Sequence, residues 1–404
     1  MTNFEIERLG HQGDGIAPGP VFAALALPGE VVTGTLDGSR LTDMKVVTPS
    51  DDRVKPPCRH YRACGGCQLQ HASDDFVANW KVDVVRQALA AQSLEAELRP
   101  IVTSSAQSRR RAVFSARRTK KGAMAGFHGR ASGVISEIPD CQLLDPALMP
   151  AAQIAADLAR IGGSRKGELS VTATLSQVGL DISVTGGKPL DGPLMSILAQ
   201  ETEPLNLARL TWDGETITTR NPPYQSFGTS RVVPPPGAFL QATPQGEAAL
   251  VSAVDQAITE GEKGLDLFAG CGTFTLPLST RFQMHAVEGD KAMVDALDAG
   301  WRMANGLKEI TTEARDLFRS PIFSGDLKYD FAVIDPPRAG AEAQIAQLAQ
   351  SQVEAIAFVS CNPVTFARDA ATLVRGGYKL EWIQVVDQFR WSSHVELVAR
   401  FVRQ

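Results

Sequence analysis

Leu265-Asp266-Leu267-Phe268-Ala269-Gly270-Cys271-Gly272 reads as an apolar strand that stops in a glycine-rich turn, with a helix expected over about 274–280. Glycines at such a junction let the backbone approach a ligand at the carboxyl edge of a sheet. A helix is expected upstream at 245–258. Downstream come a strand at 285–288, a helix from 292 to about 305, and strands at 331–335 and 355–360 with helical residues between them. Helix and strand alternating in this way predict a largely parallel sheet covered by helices, so residues 238–404 are expected to form an α/β, Rossmann-like domain.

Residues 1–50 differ in kind. Short β-like runs such as Val21-Phe22-Ala23-Ala24-Leu25 alternate with turns such as Gly13-Asp14-Gly15 and Pro28-Gly29-Glu30, which suggests a small OB-like β-barrel. Residues 51–237 read as a central mixed α/β domain of underivable topology, and Pro234-Pro235-Pro236-Gly237 reads as a hinge into the last domain.

At 404 residues, 44% hydrophobic and 21% charged, the chain has room for two or three cored domains. No run is long enough to span a bilayer, and the first residues lack the basic and apolar regions of a signal peptide, so a cytoplasmic protein with no membrane partner is expected. A formal charge of -5 argues against coating nucleic acid through a global positive field. One local basic patch stands out, Arg109-Arg110-Arg111 with Arg117-Arg118, Lys120-Lys121 and Arg130, against the plainer reading of a solvated charged face.

Glu288 ends the strand after the glycine turn, where an acid can accept hydrogen bonds from ribose hydroxyls. Thr275 stands where a dinucleotide fingerprint would have its third glycine, which favours S-adenosylmethionine over a nicotinamide cofactor; a tight turn without ligand is the alternative. Asp335-Pro336-Pro337-Arg338 ends a later strand at the same edge, with prolines that stiffen a loop able to wall a planar substrate. Asp-Pro-Pro also occurs in methyltransferases acting on amino nitrogens, which need no thiol.

Cys361 decides between those classes. A lone cysteine is more often a small buried hydrophobe, but this one directly follows the strand 355–360 and so reaches the edge carrying Asp335 and Gly270. A thiolate is useful where the carbon to be methylated is not nucleophilic by itself, as at uracil C5. Addition of Cys361 at C6 would activate C5 toward a sulfonium methyl, and Glu396 is the candidate base for the C5 proton, against the reading of an ordinary strand carboxylate.

The other cysteines form Cys58-x5-Cys64-x2-Cys67 followed by distant Cys141, four thiols suited to zinc or an iron-sulfur cluster, with unligated core cysteines as the plain alternative. A radical S-adenosylmethionine enzyme would leave one iron open, whereas four ligands close the site.

Together these motifs resemble the iron-sulfur branch of the RNA 5-methyluridine (uracil-5-)-methyltransferases, especially the enzymes of 23S ribosomal RNA, over almost the whole chain. Gly13-Asp14-Gly15-Ile16-Ala17 and Leu27-Pro28-Gly29-Glu30 resemble a TRAM domain, an OB-like RNA-binding fold. The resemblance implies Cys361 as nucleophile and Glu396 as base. It further implies Gln241 of Phe239-Leu240-Gln241 at the pocket, Phe268 before the glycine loop, Glu288 on the ribose, Asp335 lining the pocket, and a 4Fe-4S cluster on Cys58, Cys64, Cys67 and Cys141. Two positions depart: Thr273 stands where a Gly-x-Gly-Asn pattern is usual, and Asp316 stands where asparagine is expected, though both can still hydrogen-bond. The expected function is S-adenosylmethionine-dependent methylation of uracil C5 by a monomer, on 23S ribosomal RNA ahead of transfer RNA. A non-catalytic RNA-binding protein on the same scaffold is the alternative.

Overall fold

The computed structural model describes residues 2–404. Its largest sheet is built from strands β1 (Glu97–Thr103), β2 (Lys263–Leu267), β3 (Gln283–Glu288), β4 (Ile310–Ala314), β5 (Phe331–Ile334), β6 (Ala355–Ser360), β7 (Tyr378–Asp387) and β8 (Glu396–Arg403). Their order is β4-β3-β2-β5-β6-β8-β7-β1. β8 runs antiparallel to β6 and β7, and the other pairings are parallel. Chain direction across the sheet reverses between β2 and β5, which opens a crevice at their carboxyl ends.

Helices cover both faces. On one side α1 (Asp74–Ala90), α5 (Glu342–Ala349) and α6 (Pro363–Arg375) bury Val85, Leu348 and Phe366 against Leu267, Ile334, Phe358 and Phe401. On the other, α2 (Pro244–Ala257) and α4 (Lys291–Met303) bury Leu250, Val254 and Leu297 against Val333, Ala357, Val359 and Val398. Alternate residues of β5 and β6 thus feed opposite cores, the period-two pattern of a strand buried on both faces. Between them, the four-residue helix α3 (Thr275–Leu278) is much shorter than the sequence suggests.

Residues 3–48 form a separate sheet, from Asn3–Glu5 to Arg40–Thr48, around a small core of Ile6, Ala17, Val21, Ala23 and Val32. Another sheet, from Arg111–Arg118 to Glu215–Thr219, carries the helices Pro150–Gly162 and Gly192–Thr202 over a core including Phe114, Val171, Leu210 and Trp212.

The segment 51–237 is not one continuous unit. Its residues 74–103 leave it: α1 packs on the C-terminal sheet and β1 pairs with β7 as the edge strand, tied by Gln384 Nε2 donating to the Pro100 carbonyl at 2.6 Å. Pro100 inside β1 is consistent with an edge, because a proline cannot donate to a further strand. The supposed hinge is also pinned: Arg209 Nη2 donates to the Pro234 carbonyl at 2.8 Å and Arg111 Nη2 to the Gly237 carbonyl at 3.0 Å.

α1 is fastened by Lys81, whose fully buried ammonium donates to Asp387 Oδ1 at 2.6 Å and to the Phe389 carbonyl at 3.2 Å. Lys81→Met would strand the Asp387 carboxylate, and a loss of about 3–5 kcal/mol is expected, read as a lower urea midpoint. An unchanged midpoint would mean that water reaches the pair.

Candidate active site

The crevice is shaped by backbone in the left-handed region: Phe268 has φ +63°, Gly270 +56° and Gly272 +92°. For phenylalanine this conformation is strained, a cost that concentrates at functional sites. Gly272 is required twice over, because a Cβ there would lie 2.9 Å from Leu297 and 3.0 Å from Leu276. Glu288 braces the turn by accepting from Gly270 N at 3.0 Å and from Asp290 N at 2.9 Å. Asp316 is exposed and accepts from Phe318 N at 3.0 Å; the Phe318 ring lies 5.5 Å from that of Phe268. Thr273 instead lines a groove with Phe227, Pro244 and Val251 on the α2 side of the turn.

Sequence reasoning overlooked Asp266. It is fully buried, Thr275 Oγ1 donates to its Oδ2 at 2.5 Å, and its Oδ1 has no partner among the described residues. Thr275 therefore has a structural use at the position where a dinucleotide site would have glycine. Burial, with Asp335 and Glu288 adding negative charge, pushes Asp266 up to about 7. Burial and then Glu288 push Asp335 up to about 7 as well. These acids crowd one another at the ends of β2, β3 and β5, an arrangement suited to receiving a cation.

The pairing of β6 with β8 sets Ser360 opposite Leu397, so Cys361 and Glu396 each lie one step beyond the last pair of that register. Cys361 lies half-buried between the end of β6 and Asn362, whose side chain caps α6 by accepting from Val364 N. A helix amino end favours a thiolate. Here the opposing effects are larger: burial, then Glu396 and Asp335, push the thiol up to about 12, with Arg338 pulling the other way. Burial followed by Asp335 pushes Glu396 up to about 8, against a hydrogen bond from the Gln388 side chain and the charge of Arg338.

Gln388 is a second residue the sequence did not reveal. It is buried, accepts from Ala242 N at 2.7 Å through Oε1, and donates through Nε2 to Gln241 Oε1 at 2.5 Å. Its loop continues to Trp391, a buried residue with φ +60° whose carbonyl accepts from Gln68 N at 2.7 Å and Leu69 N at 2.9 Å. The Trp391 ring packs with Tyr61, Cys67 and Leu143, and Cys58 and Cys141 flank the same cluster.

All four N-terminal-half cysteines gather there as free thiols. Burial pushes Cys67 up to about 12, and Cys141, Cys64 and Cys58 add to the rise; Cys64 and Cys141 are raised by burial and by neighbouring cysteines too. Backbone N–H groups face the sulfurs, Gly66 N donating to Cys64 Sγ at 3.3 Å. Among the described residues, no group of three or more His, Cys, Asp or Glu side chains is set to hold a single metal ion.

The expected basic patch is partly dismantled. Arg110 is buried, pairs with Glu247 and donates to the Gln241 carbonyl at 3.1 Å, while Arg111 holds Gly237. These two staple the central sheet to the crevice. Lys120 and Lys121 remain exposed on the patch, as does Arg117, which pairs with Glu168.

Residues 237–402 match the model of the tRNA (Uracil-5-)-methyltransferase family. An uncharacterised RNA methyltransferase of Brucella suis is 40% identical over 398 residues, covering 98% of this chain and 96% of that protein. The 23S rRNA (uracil(1939)-C(5))-methyltransferase RlmD of Chromohalobacter salexigens is 32% identical, covering 98% and 88%. The crystal structure of Pyrococcus abyssi tRNA (uracil-54, C5)-methyltransferase in complex with S-adenosyl-L-homocysteine has the same fold, with a TM-score of 0.76, 22% identity and 99% of each chain covered. No helix among the described residues is long and apolar enough to cross a membrane.

Proposed function

Because the chain belongs to the RNA (uracil-5-)-methyltransferase family, we propose that it methylates uracil C5 in RNA, 23S ribosomal RNA ahead of transfer RNA, with S-adenosylmethionine as donor. The observation that carries this reading is that Cys361 directly follows β6 and Glu396 begins β8, one step beyond the pair Ser360 and Leu397, with the Asp335 charge bearing on both. When bound, the donor supplies an electrophilic methyl group and a positive charge, against which the crowded carboxylates ionise more readily. Glu288 keeps lone pairs for ribose hydroxyls, and the fully buried Asp266 holds one oxygen without a partner beneath the same turn.

Cys361 Sγ bonds to C6 of a uracil that has left its stack, and the C5–C6 π electrons move to give an enolate over C5 and O4. C5 takes the methyl group as the sulfonium bond breaks. Glu396 then removes the C5 proton, the C5–C6 double bond re-forms, and the C6–S bond breaks to return the thiolate.

Cys58, Cys64, Cys67 and Cys141 are assigned to a 4Fe-4S cluster. Four neighbouring free thiols, two buried and two half-buried, with a backbone N–H on Cys64 suit one. The cluster's place is structural, beside Trp391. Protein purified without oxygen is expected to carry iron and sulfide that Cys64→Ser loses, by metal analysis and visible absorption; equal iron in both would remove this assignment. The N-terminal sheet, with Arg8, His11, Phe22 and Arg40 around one groove, suits a TRAM-like role in holding single-stranded RNA.

The deciding experiment incubates the enzyme and labelled S-adenosylmethionine with RNA from a strain lacking the gene. Label in 5-methyluridine of ribosomal RNA is expected. Label in transfer RNA alone would favour the other substrate, and none in either would end the reading.

A further inference from the structure

Gln388 has its amide orientation dictated by the backbone. Ala242 N–H needs an acceptor, so the atom it meets at 2.7 Å is Oε1, and Nε2 must face Gln241. The Gln241 atom opposite that donor, at 2.5 Å, is accordingly its Oε1. With its oxygen engaged, Gln241 is left with the N–H donors of its one side-chain nitrogen, Nε2, which has no protein acceptor among the described residues and is not sealed off as an orphan. Gln388 also lies close enough to Glu396 to ease its ionisation, so one side chain neighbours both the Gln241 amide and the carboxylate.

Resting on the function proposed above, we propose that Gln388 is a specificity-determining positioning residue: by locking the Gln241 amide donor-outward, it makes the pocket accept uracil and reject cytosine. At C4 uracil carries a carbonyl oxygen and cytosine an amino group. A donor-only Gln241 pairs with O4 and opposes the cytosine amine with a second donor. O4 also collects the negative charge created when sulfur adds at C6, so the same N–H strengthens its hold as the reaction proceeds.

The test follows mapping of the methylated uridine by nucleoside analysis, a step whose failure would count against the function and not against the lock. Two oligoribonucleotides spanning that site carry 5-fluorouridine or 5-fluorocytidine there. With S-adenosylmethionine present, C5 takes the methyl group and its fluorine leaves no proton for Glu396, so a base that has reacted stays bonded to Cys361 and is counted as a denaturant-stable adduct. Wild type is expected to form the fluorouridine adduct at least about 10³-fold faster than the fluorocytidine one. Gln388→Met frees the Gln241 amide to turn, and the preference is expected to fall by at least about tenfold. Gln241→Glu presents an acceptor and is expected to move the preference toward cytosine. A preference in Gln388→Met equal to wild type, with both rates merely lowered, would overturn the lock, as would an unchanged preference in Gln241→Glu.

Discussion

Cys361→Ala is expected to reduce methyl transfer to RNA by at least about 10⁴-fold while leaving affinity for S-adenosylmethionine within a few-fold of wild type. Uracil C5 gains its nucleophilic character from addition at C6, and the Cys271 thiol, within the glycine turn at the same end of the sheet, is buried. The residues proposed for the donor, by contrast, cluster at the ends of β2, β3 and β5. The half-buried sulfur contributes little to packing, so the variant should fold. Single-turnover transfer of a labelled methyl group measures the first quantity and calorimetric titration of the donor the second. Turnover within tenfold of wild type would exclude covalent catalysis at this cysteine.

Glu396→Gln should fail later in the cycle. The thiol still adds and the methyl group still moves, but the C5 proton stays, so a methylated protein–RNA adduct accumulates while turnover falls by about 10²–10⁴-fold. The pH profile supplies an independent check. A base acts only when deprotonated, and burial beside Asp335 pushes Glu396 up to about 8. The rising limb of the adduct's release rate, followed in a single turnover, is therefore expected between pH 7 and 9, well above the usual carboxylate range. Asp335 at about 7 titrates with it, so the limb belongs to the coupled pair. A limb centred near pH 4–5 would mean that the carboxylate is solvated, and a release step unaffected by the glutamine would assign the proton to another group.

The parts of the site that were legible in the sequence are those encoded locally. The apolar run Leu265–Leu267 with its glycines announces a strand and a ligand turn, and the run ending at Ser360 carries Cys361 to the same edge. What could not be read depends on partners far along the chain. Arg110 looks like surface charge until Glu247 is seen against it. Gln388 is an unremarked polar residue until Ala242 and Gln241 fix both ends of its amide. Glu97–Thr103 is a short strand interrupted by proline, with no local sign that its partner is Tyr378–Asp387. Asp266 lies within the motif, but strand periodicity reports burial without saying that a carboxylate keeps an unpaired oxygen there.

The pairing of β1 with β7 has a consequence for biogenesis. Residues 97–103 leave the ribosome long before residues 378–387 exist, and at about 5–20 residues per second the delay is on the order of 15–60 s. During that interval the first-made edge has no mate, and its neighbour α1 still exposes the Lys81 ammonium that will later meet Asp387. Translation must therefore run nearly to its end before the catalytic sheet can close, and the nascent amino-terminal third is a natural client for chaperones that shield unpaired strands.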